Sequence, residues 1–254
     1  MPFDYLGDSR LKHHIVFRRD TYMECVYCGK PADTREHIPS KVFLRKPLPA
    51  NLPLVPACKS CNNGFSGDEL FTALFVELLR YYCFEEYDLS EATQSRLAER
   101  PEGKAAYLAL GLLKKTNYHI VDDRIVRIIC KLAICHATHD LSEGFYCDSW
   151  HGKAENIYCF TRPQLSEDDL FEWDTFESMD GKLLPEVGSM GYEHILILGN
   201  PLANNESERG AVVLDWNDIQ NDVYRNMCFN IDNEINVEIV IREVIFCQGI
   251  WKQG

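Results

Sequence analysis

Two Cys-x-x-Cys pairs constrain this chain more than any other feature. Cys25-Val-Tyr-Cys28 and Cys58-Lys-Ser-Cys61 stand about 30 residues apart, a spacing that suits two tight knuckles closing on one zinc ion. Four thiolates at about 2.3 Å complete a tetrahedron, so such a zinc has no open position for Lewis-acid chemistry and serves to hold the fold. The chain carries eleven cysteines, an odd number that speaks against a disulfide framework. The opening MPFDYLGDSR lacks the charged-then-apolar profile of a signal peptide. No apolar run approaches the roughly 20 residues of a membrane span. The expectation is a cytoplasmic protein with reduced thiols and no membrane contact. Cys83, Cys147, Cys159, Cys228 and Cys247 have no metal spacing and read as small core hydrophobes. Cys135 and His139 have the i,i+4 spacing that can share a second metal, although a buried cysteine and a core histidine are the commoner reading.

The net charge of −13 argues at first against a nucleic-acid partner, but it is unevenly spread. Residues 1–65 hold ten Lys/Arg against six Asp/Glu, and the remainder holds 16 against 33. A small basic working end precedes a large acidic body. That body is expected to bind a protein partner or a second copy of the chain.

The pattern along the chain predicts an α+β fold in three parts. Residues 1–66 form the basic zinc-stapled module, residues 67–142 a helical region, and residues 143–254 an acidic, antiparallel β-rich region of unknown role. Leu70, Phe71, Leu74, Phe75, Leu78, Leu79 and Tyr82 make one helical stripe, and Ser66 with Glu69 reads as the capping box at its start. Gly64 and Gly67 are expected to break a helix just upstream. Further helices are predicted at about 90–100, 103–115 and 122–140. Ser166 to Asp169 reads as an acidic helix N-terminus. Strands are predicted at 194–199, at 210–216 and over the alternating 237–246, where the slip at Val244 suggests a bulge.

Between the two cysteine pairs lie Glu36-His37-Ile38-Pro39 and Asn51, and Asn62-Asn63 follows Cys61 directly. Taken in this order, residues 22–66 resemble the HNH (ββα-metal) endonuclease family, four-cysteine zinc subtype. The resemblance implies a β-hairpin and a helix that clamp one catalytic Mg²⁺ or Mn²⁺, with duplex DNA as substrate. His37 would be the general base, Glu36 and Asn62 the hard oxygen ligands of the catalytic metal, and Asn51 the residue that orients the imidazole. Asn63 is an alternative to Asn62 or an addition to it.

Each role has a chemical reason. Phosphodiester hydrolysis needs an activated water, stabilisation of the charge added to the phosphate, and help for the leaving oxygen. A neutral imidazole can take the proton, and oxygen donors suit Mg²⁺ or Mn²⁺. Neighbouring strand residues face opposite ways, so a distortion of the strand, or its end at Pro39, is expected to let Glu36 and His37 serve one site. Arg35, Lys41, Arg45, Lys46 and Lys59 are expected to neutralise backbone phosphates. Standalone members of the family occur in bacterial antiphage defence and in mobile elements. The rival readings are a zinc-stabilised adaptor that binds nucleic acid or protein without cutting, and a nuclease directed at RNA.

Overall fold

The computed structural model describes residues 24–50, 52–140, 157–174, 216–231 and 234–252. A two-stranded antiparallel hairpin comes first: β1 (Thr34–His37) pairs with β2 (Leu54–Ala57), with His37 opposite Leu54. Four helices follow: α1 (Lys59–Cys83), α2 (Glu91–Glu99), α3 (Pro101–Lys115) and α4 (Asp123–Asp140). The last part contains β3 (Ile157–Thr161), α5 (Glu167–Asp174), β4 (Asn217–Gln220), β5 (Tyr224–Ile231), β6 (Glu234–Ile241) and β7 (Ile245–Lys252). These four strands and β3 form one antiparallel sheet in the order β3-β7-β6-β5-β4. The class is α+β, as expected. Among the described residues no helix is long and apolar enough to cross a membrane.

Helix α4 is the centre of the molecule. Every residue from Lys131 to Thr138 is buried, the pattern of a helix covered on all sides. It packs on α1, on β2 and on one face of the large sheet. Alternation along the strands creates that face: Ile235, Val237, Ile239 and Ile241 of β6 and Ile245 and Cys247 of β7 join the main core. The opposite face places Met227, Val240 and Phe246 with Leu170 and Trp216, and Trp173 of α5 packs against them. The main apolar cluster runs without a break from Cys25, Val26 and Tyr27 through α1 and α4 to the inner face of the sheet. The boundary drawn at residue 66 falls inside α1.

Helix α1 begins earlier than its sequence suggests. The capping box expected at Ser66 and Glu69 does not form; Ser66 Oγ donates instead to the Asn63 carbonyl at 3.0 Å. Cys58 is the N-cap, its sulfur accepting from Cys61 N, and Asp33 Oδ1 accepts from Lys59 N at 2.6 Å. These caps release the helix from its weak local signal. It then runs straight through Gly64 and Gly67, where an added Cβ would meet nothing within 4 Å.

The second difference is at 237–246. The phase slip at Val244 marks a hairpin turn between β6 and β7, and no bulged strand runs through it. Ile241 pairs with Ile245, and Arg242 and Glu243 adopt φ of 52° and 56°. Left-handed turns normally advertise themselves with Gly or Asn, and this one does not. The strands predicted at 194–199 and 210–216 lie outside the described residues except for Trp216, which precedes β4 and belongs to no strand. Helices α2, α3 and α4 and the Ser166 cap follow the sequence reading, with Asp169 N donating to Ser166 Oγ at 3.1 Å.

Candidate metal centre and the hairpin beside it

The first knuckle is built by backbone geometry. Gly29 takes φ 68°, a conformation that costs glycine little. It lets the amides of Cys28 and Gly29 donate to the Cys25 carbonyl at 3.3 and 2.9 Å. Val26 N donates to Pro56 O at 3.1 Å, which docks the knuckle on β2. The second knuckle is the first turn of α1. Together they bring the sulfurs of Cys25, Cys28, Cys58 and Cys61 within 4.8 Å of one another.

A tetrahedron with metal–sulfur bonds of about 2.3 Å has edges of about 3.8 Å, and the Cys28–Cys58 edge measures 3.8 Å. The group can therefore hold a metal ion such as zinc. Burial pushes the Cys25 and Cys61 thiols above their usual range, and the Cys61 amide pulls Cys58 below it. Four sulfurs this close need a cation to make all of them thiolates. Among the described residues, no second cluster of metal-ligating side chains forms. Cys135 lies against the Tyr27 hydroxyl at 3.0 Å, while His139 Nδ1 lies 2.7 Å from Asp140 Oδ1.

The hairpin sets Glu36 and His37 on opposite faces. Its register is regular from Thr34 to His37, so the distortion expected to unite the two side chains does not occur. Glu36 turns inward and is 7% exposed. Its Oε1 lies 3.2 Å from Lys131 Nζ and accepts from Ser40 Oγ at 3.2 Å. Lys131 Nζ donates to Ser40 Oγ at 2.7 Å and also pairs with Glu69. Glu36 Oε2 is buried with no hydrogen-bond partner.

Burial raises the Glu36 pKa, only partly offset by Lys131. Burial also works against the charge on Lys131, but Cys135, Glu69 and Glu36 outweigh it, and its pKa rises. Two carboxylates thus share one buried ammonium.

His37 lies on the outer face, half-buried. Burial, then the Lys41 cation, lowers its pKa below the usual 6.5, so the imidazole is neutral near pH 7. Asn62, in the first turn of α1, donates from Nδ2 to the Arg35 carbonyl at 3.2 Å and ties the helix to β1. Asn63 is exposed, and Asn51 lies outside the described residues. Arg35, Lys41, Arg45, Lys46 and Lys59 are all exposed. Arg127 and Arg124, by contrast, pair with Asp68 and Asp122 at 2.5 and 2.7 Å.

Sequence reasoning missed Lys131, Ser40 and Glu69 beneath the hairpin, and Asp33 at the helix cap. One signal was available: a lysine in the middle of the apolar run of α4 has to find a carboxylate. Comparisons with protein-family models, with curated proteins and with solved structures return no match.

Proposed function

We propose that the chain is a metal-dependent endonuclease that hydrolyses phosphodiester bonds in duplex DNA, with His37 as general base. One observation carries the reading. A half-buried histidine with a lowered pKa ends the first strand of a β-hairpin that the four-cysteine centre clamps to a helix, and exposed cations flank it. A neutral imidazole accepts a proton from water, and the cations offer charge to phosphate. The hairpin-then-helix order of β1, β2 and α1 is the arrangement that the HNH resemblance implies.

The catalytic Mg²⁺ or Mn²⁺ of this reading would draw on the Asn62 amide oxygen and on Glu36 Oε2, the buried oxygen without a partner; hard oxygen donors suit both ions. A bound divalent ion would stabilise charge on the phosphate and the leaving oxygen. Glu36 serves it only if its carboxylate swings away from Lys131. Asn51 is assigned to orienting His37. Plasmid cleavage in a metal series by wild type and His37→Ala tests the reading. Wild-type cleavage abolished in the variant supports it, and no cleavage with any divalent ion overturns it.

A second reading rests on the Glu36–Lys131 pair. A carboxylate committed to a buried ammonium favours a zinc-stabilised adaptor that binds nucleic acid or protein without cutting. DNA binding without cleavage would favour it. In either reading the acidic residues 143–254 are assigned to a protein partner or a second copy of the chain. Tyr158 and Phe160, 49% and 37% exposed on β3, an edge strand of the sheet among the described residues, support that assignment.

A further inference from the structure

The segment between β1 and β2 that carries Lys41, Arg45 and Lys46 is held by the far end of the chain. Gln220, the last residue of β4, uses its whole amide on it. Oε1 accepts from Arg45 N at 2.8 Å, and Nε2 donates to Arg45 O at 2.8 Å and to Pro47 O at 3.2 Å. The Arg45 guanidinium lies 5.6 Å from the centre of the Tyr87 ring, and Arg80 lies 5.0 Å from the same centre. Arg80 Nη1 in turn donates to the carbonyls of Asp222 in the β4–β5 turn and Arg242 in the β6–β7 turn.

Positive charge is crowded here. Burial lowers the Arg80 and Arg242 pKa values, and Arg45 lowers both further. Glu77 pairs with Arg242 at 2.7 Å, and Asp222 and Glu243 act on Arg80 from farther away. Arg45 itself stays exposed and forms no ion pair with any described residue. Arg80 Nε and Arg242 Nη1 are buried without a hydrogen-bond partner. Guanidinium groups so placed match a phosphate oxygen better than they match one another.

We propose that Arg45 and Arg80 receive a backbone phosphate of the bound nucleic acid, and that Gln220 is the positioning residue that sets the basic segment for it. This rests on the nucleic-acid reading above. It makes the C-terminal sheet part of the binding surface.

The test is fluorescence anisotropy of the full chain on a labelled duplex, without divalent ions, from 50 to 200 mM salt. Gln220→Ala is expected to bind about three- to tenfold more weakly. Arg45→Ala is expected to lower the slope of log affinity against log salt by about 0.9. In the Gln220→Ala background, Arg45→Ala should cost less than it does alone, because the segment is already misplaced. A purely structural glutamine would not produce that coupling. Arg80→Ala reads the same phosphate if Gln220→Ala fails to fold.

Wild type that does not bind duplex overturns the nucleic-acid reading. Wild type that binds while Gln220→Ala, Arg45→Ala and Arg80→Ala bind equally well overturns this inference alone. Additive losses in the double variant overturn the positioning role of Gln220.

Discussion

Lys131 Nζ lies 3.2 Å from Glu36 Oε1, so the middle of α4 is bonded to the inner side of the strand whose outer side carries His37. A buried ammonium shared by Glu36 and Glu69 holds only while all three members are present. Lys131→Met should therefore cost about 3–5 kcal/mol at neutral pH. The sign of its pH dependence follows from Glu36. With the ammonium gone, the raised Glu36 pKa rises further, so the penalty is smallest at low pH and grows as pH passes through it. Denaturant melts at pH 5 and pH 8 measure this, and equal losses at both would show that the carboxylates do not feel the lysine.

Metal removal should be felt well beyond the knuckles. Structural zinc contributes roughly 10–16 kcal/mol of apparent binding energy in small modules, and here Cys25 belongs to the same apolar cluster as α4 and the sheet. Cys58→Ser should lose the metal and lower the melting temperature of the helical region as well. Elemental analysis and circular dichroism check the two halves of this statement. A metal-free variant that melts like wild type would remove the structural role.

The His37 pKa is lowered by burial first and by Lys41 second. In the proposed reaction the base must be unprotonated, so with His37 in that role kcat/KM should hold its plateau down to below pH 6.5 and fall at lower pH. Lys41→Ala removes one of the two causes and should move that acid limb upward. A limb that stays in place would mean either that Lys41 does not act on the imidazole or that another group is the base.

Glu238 on β6 has its pKa pushed up to about 7 by burial, against a hydrogen bond from Gln248. The folded state then holds a proton that the unfolded chain releases near pH 4.5. Folding bears no penalty below that value, an increasing one up to about pH 7, and the full penalty above. Glu238→Gln should stabilise the protein by about 1–3 kcal/mol at pH 8 and leave it nearly unchanged at pH 4.5. A uniform shift across pH would point to packing rather than charge.

Gly64 and Gly67 sit inside α1 with free space around them. Alanine at either position should add about 0.5–1 kcal/mol, the usual difference in helix propensity. Thermal melts of the two single variants check it. Destabilisation at both would contradict a continuous helix through residues 59–83.

The helices that could be read from the sequence are those with local causes. Ile125, Ile128, Ile129 and Leu132 repeat on one face of α4, and Ser166 and Asp169 cap each other three residues apart. What escaped was decided at a distance. The start of α1 depends on Asp33 and on a cysteine knuckle, and the β6–β7 turn is forced on Arg242 and Glu243 by strand pairing, against their preferences. At the candidate site, the cysteine spacing was enough to assemble the four sulfurs. The apolar run of α4 signals that Lys131 needs a carboxylate, but the sequence does not say that Glu36, 95 residues earlier, is the one that turns inward to meet it.

Helix α1 also makes the protein intolerant of length changes. It is a rod of about 37 Å, with Cys61 near one end and, near the other, Arg80 gripping the β4–β5 and β6–β7 turns. Adding or removing one residue between them would rotate one anchor by about 100° relative to the other and displace it by about 1.5 Å. No single insertion or deletion there can keep both ends engaged. The distance from residue 61 to residue 80 is fixed by screw geometry, whatever side chains occupy the exposed face between them.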